Sequence, residues 1–373
     1  SSVDFSQLQA KVWLYCLCLL VFFLQPLKNR SSGEMGELRK DPITGRWVII
    51  ATERRKRPTD RFLRSTGEQY AKKTIPPEFC PFCEGNERST PPEICAVRPN
   101  GTEPNTPGWL VRVVPNKFPA LRIEGELKSK GIGVYDTMTG IGAHEVIIET
   151  PRHEFSLTAL SESHVLEVLK IYRWRLLDLA GDKRFRHALL FKNVGEAAGA
   201  SLEHTHSQLI ATPIVPIRVA EEMRGGRLFY EYRGRCIWCD IVEQELSERS
   251  RLIYENDSLV AFAPFASRFP FEVWIIPKEH SCKFENSDDR MLIRTAEVLL
   301  KVLKRLEKRL DVPPYNYMFH SSPFQEDDSP FFHWHIEILP RLSTPGGYEF
   351  GSGVFIDVVS PEKSAQFLRK VKV

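Results

Sequence analysis

The hydrophobic residues of this chain fall into short runs typical of strands and into stretches with helical spacing. The apolar runs predict strands at 46–51, 109–114, 145–149, 188–191, 209–211, 272–276, 315–319 and 332–337. Over 160–179 apolar side chains recur three and four positions apart, which predicts an amphipathic helix packed on a sheet. A helix of similar size is expected over 289–310.

The second half of the chain repeats the order of the first half. Each half contains a C-x-x-C pair, a strand, a histidine, a helix, a strand and an H-x-H motif, in that order. His153 precedes His204 by 51 positions (204 − 153), and His280 precedes His333 by 53 (333 − 280). The repeat predicts two tandem domains, at 35–215 and 216–373.

The N-terminal segment does not fit this repeat. Residues 12–24 are thirteen consecutive apolar residues, fewer than the roughly 20 needed to span a bilayer. Their number suits a signal-peptide core, but only Lys11 precedes them as a positive charge and no clear cleavage site follows. We expect residues 1–34 to be an extension outside the functional fold; a membrane anchor is the alternative.

Composition and charge exclude several classes of protein. The chain has 373 residues, of which 42% are hydrophobic and 27% charged, as is ordinary for a globular protein with a buried core. The net charge of +3 and the absence of any like-charge block longer than the basic run at 54–57 argue against a bulk nucleic-acid binder. We therefore expect no nucleic acid as a partner, and the short apolar run at 12–24 leads us to expect no membrane.

The cysteines and histidines predict two zinc sites. Four of the eight cysteines form two C-x-x-C pairs, which with downstream histidines is typical of zinc in a reducing compartment, so a cytoplasmic location is expected. His144 and His153 flank the same strand, but only His153 has a counterpart in the repeat, because Phe271 matches His144. The predicted ligand sets are Cys80, Cys83, His153 and His204, and Cys236, Cys239, His280 and His333. Four protein ligands leave no open position, which predicts structural sites; free thiols and core histidines are the alternative.

The stretch 193–208 carries the candidate chemistry. Small residues at 195 and 199–201 would let backbone N–H groups approach a phosphate closely. On a strand, His204 and His206 point to the same face, followed by Gln208. A bare H-x-H motif also suits a metal site or a polar edge strand. The glycine-rich loop and Gln208 favour phosphate chemistry.

If zinc holds His204, the His206 imidazole is free to react. An ordinary imidazole has a pKa near about 6.5, so at neutral pH much of it is neutral and nucleophilic. Attack on the α-phosphorus of a nucleoside diphosphate would give a covalent nucleotidyl-histidine and ping-pong kinetics. The Gln208 amide would donate to a phosphate oxygen. In the second half Glu337 replaces this glutamine, which predicts a silent motif there.

From about residue 38 onward, these motifs in this order resemble the galactose-1-phosphate uridylyltransferase family of the histidine-triad superfamily. The motifs are Arg54-x-x-Arg57-Pro58, Cys80-x-x-Cys83, Asn116, His153, Asn193-x-Gly195, Gly199-Ala200-Ser201, His204-x-His206-x-Gln208 and Gly347-Tyr348-Glu349. The resemblance implies an α/β (α+β) fold of two tandem histidine-triad-like halves, each a mostly antiparallel sheet with packed helices. It also implies a homodimer.

The resemblance implies roles for individual residues. His206 would be the nucleophile and His204 a zinc ligand. Arg54, Arg57 and Asn116 would line the nucleotide and sugar-phosphate site. The phosphate-binding group would be Asn193, Gly199, Ser201 and Gln208. The loop that approaches the substrate, across a dimer interface, would contain Gly347, Tyr348, Glu349 and Gly351.

Three functional hypotheses follow. The first is UDP-glucose–hexose-1-phosphate uridylyltransferase, an enzyme of galactose metabolism that acts on a nucleotide sugar and a sugar 1-phosphate. The second is an ADP-glucose phosphorylase, which transfers an adenylyl group to phosphate. Thr205 in place of the family's usual proline leaves the chemistry intact, whereas the second C-x-x-C and the run at 313–318 bring the chain close to the ADP-glucose phosphorylase branch. The third is a nucleotide-binding module without catalysis.

Overall fold

Both halves of the chain contribute to one ten-stranded sheet. The computed structural model describes residues 36–56, 75–326 and 328–373, so Arg57 and the extension at 1–34 lie outside the described residues. The strands are β1 (Glu37–Lys40), β2 (Trp47–Ile50), β3 (Cys95–Val97), β4 (Val111–Pro115), β5 (Ser129–Ile132), β6 (Tyr135–Met138), β7 (Ala143–Ile148), β8 (His187–Val194), β9 (His206–Thr212), β10 (Leu252–Glu255), β11 (Leu259–Phe262), β12 (Val273–Pro277), β13 (Tyr315–His320), β14 (His335–Pro340) and β15 (Phe355–Asp357).

The strand order of the large sheet confirms the repeat. The order is β10-β11-β12-β14-β13-β8-β9-β7-β4-β3, and every neighbouring pair is antiparallel. Counted from its own edge, each half therefore contributes five strands in the same sequence. The halves meet where β8 pairs with β13, with Tyr315 opposite Val194. The predicted class, two tandem halves of mostly antiparallel sheet, is confirmed.

Two long helices cover one face of this sheet. The α-helices are α1 (Glu162–Ala180), α2 (Ile217–Arg233), α3 (Ile237–Glu248), α4 (Asp289–Leu310), α5 (Gly347–Ser352) and α6 (Pro361–Arg369). Ser161 caps α1 by accepting from the backbone N–H of His164, and Asp288 caps α4 by accepting from that of Met291. Both predicted helices are confirmed. The short 3-10 helices are Thr52–Lys56, Pro77–Phe79, Glu87–Ser89, Leu157–Ala159, Glu196–Ala198 and Phe284–Asn286.

The main hydrophobic core lies between the sheet and helices α1 and α4. It joins apolar residues of both halves, such as Leu190 and Leu209 from the first and Leu299 and Ile336 from the second. A single core beneath a continuous sheet ties the two halves together. Residues Glu37–Val373 form one compact unit. The boundaries at 35–215 and 216–373 stay a prediction.

The remaining strands form two small sheets. β1, β2 and β15 form one sheet, in which β15 runs parallel to β2, and β5 and β6 form an exposed hairpin. The strand predicted at 332–337 begins at His335, because residues 331–334 make a turn and an irregular approach to it. Among the described residues, no helix has the length and apolar character required to cross a bilayer.

Candidate functional site

The first H-x-H motif lies at the start of β9, beside the loop that leaves β8. His206 opens the strand, whereas His204 precedes it, so the expectation that both histidines lie on a strand is wrong. The His204 side chain contacts the two cysteines at 80 and 83. Both imidazoles line a small cavity together with Asn193 and Gly195. His204 therefore joins the cysteine cluster, whereas His206 forms no hydrogen bond with these cysteines among the described residues.

The backbone of His204 fixes the His206 ring in one tautomer. Its Nδ1 lies 2.7 Å from the carbonyl oxygen of His204, which can only accept a hydrogen bond. Nδ1 therefore carries the proton, and the lone pair lies on Nε2. Burial, and after it the nearby Lys192 ammonium, lower the pKa of His206 to about 4. The imidazole is neutral at physiological pH, as a nucleophile must be.

Gln208 and Asn116 meet on the same face of the sheet. Gln208 is the third residue of β9, and Asn116 directly follows β4. Asn116 Nδ2 donates to Gln208 Oε1 over 3.4 Å, and Asn116 Oδ1 accepts from the backbone N–H of Phe118. A third side chain, His144 of β7, lies between them, with Nε2 2.8 Å from Gln208 Oε1. Sequence reasoning considered His144 only as a candidate zinc ligand and did not predict its contact with Gln208.

The glycine loop after β8 is supported by the second half of the chain. Gly195 and Gly199 both have positive φ, +79° and +87°, which glycine adopts without strain. Asn316 of β13 donates through Nδ2 to Asn193 Oδ1 and to the carbonyl oxygen of Ala198, each over 2.8 Å. Asn316 is thus a site residue that sequence reasoning missed. The one sequence feature that pointed to Asn316 was its position in the run 313–318. Ser201 is exposed at the end of the loop.

The four predicted ligands of the first zinc site lie together. The Cys80, Cys83, His153 and His204 donor atoms are all within 4.8 Å of one another. Cys83 Sγ lies 3.2 Å from His153 Nδ1 and 3.5 Å from His204 Nδ1, where a tetrahedral zinc would set about 3.6 Å between sulfur and nitrogen. His204 Nε2 contacts the Thr150 carbonyl oxygen at 2.8 Å, which orients the ring with Nδ1 toward the cysteines. This set fits a metal.

The second predicted set has the same form. The Cys236, Cys239, His280 and His333 donor atoms also lie within 4.8 Å. Cys239 Sγ is 3.5 Å from His280 Nδ1 and 3.9 Å from His333 Nδ1. His280 Nε2 contacts the Ser329 carbonyl oxygen at 3.2 Å. Both clusters offer two thiols and two Nδ1 atoms, the donor set that suits zinc.

The second H-x-H motif is enclosed. His335 is fully buried, and its ring stacks on Trp238 with 4.3 Å between centroids and on His320 with 4.6 Å. Its Nδ1 contacts the His333 carbonyl oxygen at 3.0 Å, as in the first half. Glu337 Oε2 accepts from Arg268 over 2.7 Å. A covered imidazole next to a bound carboxylate favours the prediction that this motif is silent.

Sequence reasoning did not predict the buried polar cluster around His335. Glu222, His320, His335 and Glu337 each bring a donor atom within 4.8 Å of the others. His320 Nδ1 lies 3.0 Å from Glu222 Oε2, and Arg218 bridges Glu222 and Glu337 at 3.4 Å each. Residues on α2, β13 and β14 form this cluster. It is assembled only by tertiary packing.

A family model decides what the chain is related to. The model for the N-terminal domain of galactose-1-phosphate uridyl transferase matches residues 28–216, which contain the first cysteine–histidine cluster and His206. The chain belongs to this family. A second model, for a domain of unknown function, matches residues 160–371.

Relatives of known name cover nearly the whole chain. An ADP-glucose phosphorylase of Arabidopsis thaliana is 38% identical over 92% of this chain and 95% of its own length. A galactose-1-phosphate uridylyltransferase of Thermotoga maritima is 30% identical over 91% of this chain and 99% of its own. A crystal structure of an Arabidopsis thaliana ADP-glucose phosphorylase with bound ADP-glucose matches with a TM-score of 0.76, at 34% identity, over 91% of this chain and all of that one. A uridylyltransferase structure matches with a TM-score of 0.68.

Some of the residues that the family resemblance assigned to the substrate site lie away from His206. Arg54 and Glu349 line a cavity of about 340 Å³ together with Arg268, just before β12. In the sheet, β12 is four strand spacings from β9, which is about 19 Å. Gly347, Tyr348, Glu349 and Gly351 all belong to α5, where Glu349 accepts from the backbone N–H of Gly346. Within one chain, this group and His206 form separate sites.

Proposed function

We propose that this chain transfers a nucleotidyl group from a nucleoside diphosphate sugar through a covalent intermediate on His206. The observation that carries the proposal is the 2.7 Å contact from His206 Nδ1 to the His204 carbonyl oxygen, which leaves the lone pair on Nε2. Nε2 would attack the α-phosphorus, and the bond to the bridging oxygen would break to release a sugar 1-phosphate. The acceptor substrate then attacks the same phosphorus, and the N–P bond breaks to free the imidazole.

The neighbours of His206 suit this reaction. Asn193 lines the same small cavity as His206, and Gln208 lies two residues after His206 on β9, so both would bind phosphate oxygens, as would the backbone of the glycine loop. Zinc in the cluster of Cys80, Cys83, His153 and His204 would hold His204 in place, and His204 in turn fixes the His206 tautomer through its carbonyl oxygen. The second cluster would hold another zinc. Both zinc ions are proposed as structural.

Two observations favour the adenylyl reaction over the uridylyl reaction. The ADP-glucose phosphorylase relative is 38% identical, against 30% for the uridylyltransferase of Thermotoga maritima. The structural match with bound ADP-glucose has the higher TM-score of the two, 0.76 against 0.68. We therefore propose ADP-glucose as the donor and inorganic phosphate as the acceptor, giving glucose 1-phosphate and ADP. Uridylyl transfer from UDP-glucose to galactose 1-phosphate is the second candidate.

Mass spectrometry of the intact protein tests the proposal. After incubation with ADP-glucose alone, we expect an AMP-sized adduct on His206 and one equivalent of glucose 1-phosphate. His206→Gly should form no adduct and still bind ADP-glucose. A faster UMP-sized adduct from UDP-glucose would favour the second candidate. No adduct from either donor would contradict nucleotidyl transfer.

Metal analysis tests the two zinc sites. We expect two zinc ions per chain, because each cluster supplies four thiol and imidazole ligands. Cys236→Ser with Cys239→Ser should lower the content to one zinc and leave the His206 adduct, since the second cluster lies in the other half. Cys80→Ser with Cys83→Ser should lose one zinc and the adduct. Less than one zinc per native chain would refute both assignments.

A further inference from the structure

His144 has no role in the proposed reaction, yet it contacts two predicted site residues. It is the second residue of β7 and lies on the same sheet face as Gln208, diagonally across the pair β7–β9. Its Nε2 lies 2.8 Å from Gln208 Oε1 and 3.1 Å from Asn116 Nδ2. Its Nδ1 lies 3.1 Å from the backbone nitrogen of Ala120.

These contacts determine which ring nitrogen of His144 carries the proton. The backbone N–H of Ala120 can only donate, so His144 Nδ1 must accept. In the neutral ring the proton is then on Nε2, which donates to Gln208 Oε1. Asn116 Nδ2 donates to the same oxygen over 3.4 Å, so its 3.1 Å approach to His144 Nε2 is a contact between two donors and not a hydrogen bond. Two donors thus converge on one carbonyl oxygen.

The orientation of the Gln208 amide follows from this. With Oε1 held by His144 and Asn116, the NH₂ group must point the other way, and it makes no hydrogen bond within the described part of the chain. Rotating the Gln208 amide by 180° would place its NH₂ group next to the donors of His144 and Asn116, and its oxygen would then face the phosphate. That oxygen would repel the anion. A correctly oriented amide donates to it instead.

The second half of the chain lacks this arrangement. Val146 pairs with Gln208 and Trp274 pairs with Glu337, so by strand register Glu272, and not Phe271 as the sequence predicted, occupies the position that matches His144. Glu337 replaces Gln208 there. The Glu337 carboxylate accepts from Arg268 and lies 3.4 Å from Arg218. The second half therefore has a carboxylate at the position where the first half has a neutral amide. The imidazole that orients an amide is present only in the half with the exposed glycine loop.

We propose that His144 is a positioning residue that holds the Gln208 amide with its NH₂ group toward the phosphate bound at His206. The proposal rests on the proposed nucleotidyl transfer. His144 itself does not contact the reacting atoms. It acts through the Nε2–H donor to Gln208 Oε1, and Asn116 supports the same orientation.

The variants His144→Phe and His144→Gln separate orientation from packing. Phenylalanine keeps the ring volume and removes the donor, and the freed N–H of Ala120 is exposed to water. We expect His144→Phe to form the adduct from ADP-glucose about 10- to 100-fold more slowly, part of the loss that follows deletion of one oxyanion donor. The zinc content should be unchanged. His144→Gln places an amide donor near the position of Nε2 and should restore the rate to within about threefold of native.

A double variant shows whether the effect passes through Gln208. In a Gln208→Ala background, His144→Phe should cause no further loss, because no amide remains to be oriented. Equal rates for the native chain and His144→Phe would overturn this inference alone. The same holds if His144→Gln fails to restore the rate or if the loss persists in the Gln208→Ala background. Absence of any adduct on the native chain would instead overturn the proposed function and this inference with it.

Discussion

His206 and His335 occupy matching positions in the two halves but differ in their surroundings. Both donate through Nδ1 to the carbonyl oxygen two residues before them, so both have the lone pair on Nε2. His206 borders the glycine loop, whereas His335 is stacked between Trp238 and His320 and its Nε2 has no partner among the described residues. The tautomer is therefore a property of the motif. Access to phosphate depends on the neighbouring residues.

The lowered pKa of His206 predicts a flat pH profile. Burial and the Lys192 ammonium disfavour the charged imidazolium and bring the pKa to about 4. A lowered pKa keeps the ring neutral and nucleophilic above that value. We expect the rate of adduct formation to be nearly constant from pH 8 to pH 5.5. An ordinary imidazole with a pKa near 6.5 would lose about tenfold over this range, so an inflection near pH 6.5 would contradict the assignment.

At the scale of the elements, a buried ion pair fastens three strands and a helix together beneath the site. Lys192 of β8 donates to Glu149, which directly follows β7, over 2.5 Å. It also donates to Thr205 Oγ1 and to the carbonyl oxygen of His206, at 2.8 and 2.9 Å. Tyr172 of α1 donates to the same carboxylate. Burial by itself would raise the pKa of Glu149, but Lys192 and the hydroxyl donors lower it, so the carboxylate is ionised.

Removal of one member of this ion pair should lower the free energy of unfolding more than removal of both members. Lys192→Met leaves the Glu149 charge buried and unpaired, which we expect to lower the free energy of unfolding by about 3–5 kcal/mol. Lys192→Met with Glu149→Gln removes both charges and keeps hydrogen-bonding capacity for the hydroxyls. Urea unfolding of the double variant should show a free energy of unfolding close to that of the native chain. A double variant less stable than the single one would contradict the paired role.

At the scale of the whole molecule, the predicted substrate residues form two separate groups. His206, Asn193 and Gln208 belong to β8 and β9, while Arg54 and Glu349 line the cavity before β12. The strands that carry these two groups lie roughly 19 Å apart in the sheet. A homodimer could bring the second group of one copy to the first group of another. We propose this arrangement for the complete site.

Co-expression of two inactive variants tests the shared site. A His206→Gly chain and an Arg54→Ala/Glu349→Ala chain should together recover about a quarter of native activity, because half of a random mixture is mixed dimer with one intact site in two. As a control, His206→Gly with Gln208→Ala should recover none, since both changes affect the same group. Failure of the first mixture to recover activity would place the whole site within one chain.

The sequence by itself determined the parts of this protein that depend on local spacing and on the internal repeat. Helical periodicity predicted α1, and the repeated order of motifs predicted α4 and two similar halves. The repeat also distinguished His153 from His144 as a ligand, and the structure brings both predicted sets of four donors together. Spacing keeps the two members of each C-x-x-C pair close together, whereas the full ligand sets, which join residues up to 124 positions apart, were predicted from the repeat.

Only the tertiary structure decided the contacts between residues distant in the chain. His144 meets Gln208 across 64 positions, and Asn316 meets Asn193 across 123. Such contacts depend on which strands pair and in what register, and no local pattern contains that information. The junction of β8 with β13, which makes two halves into one sheet, is of the same kind. The sequence thus identified the candidate site residues, and the pairing of strands determined which neighbours contact them.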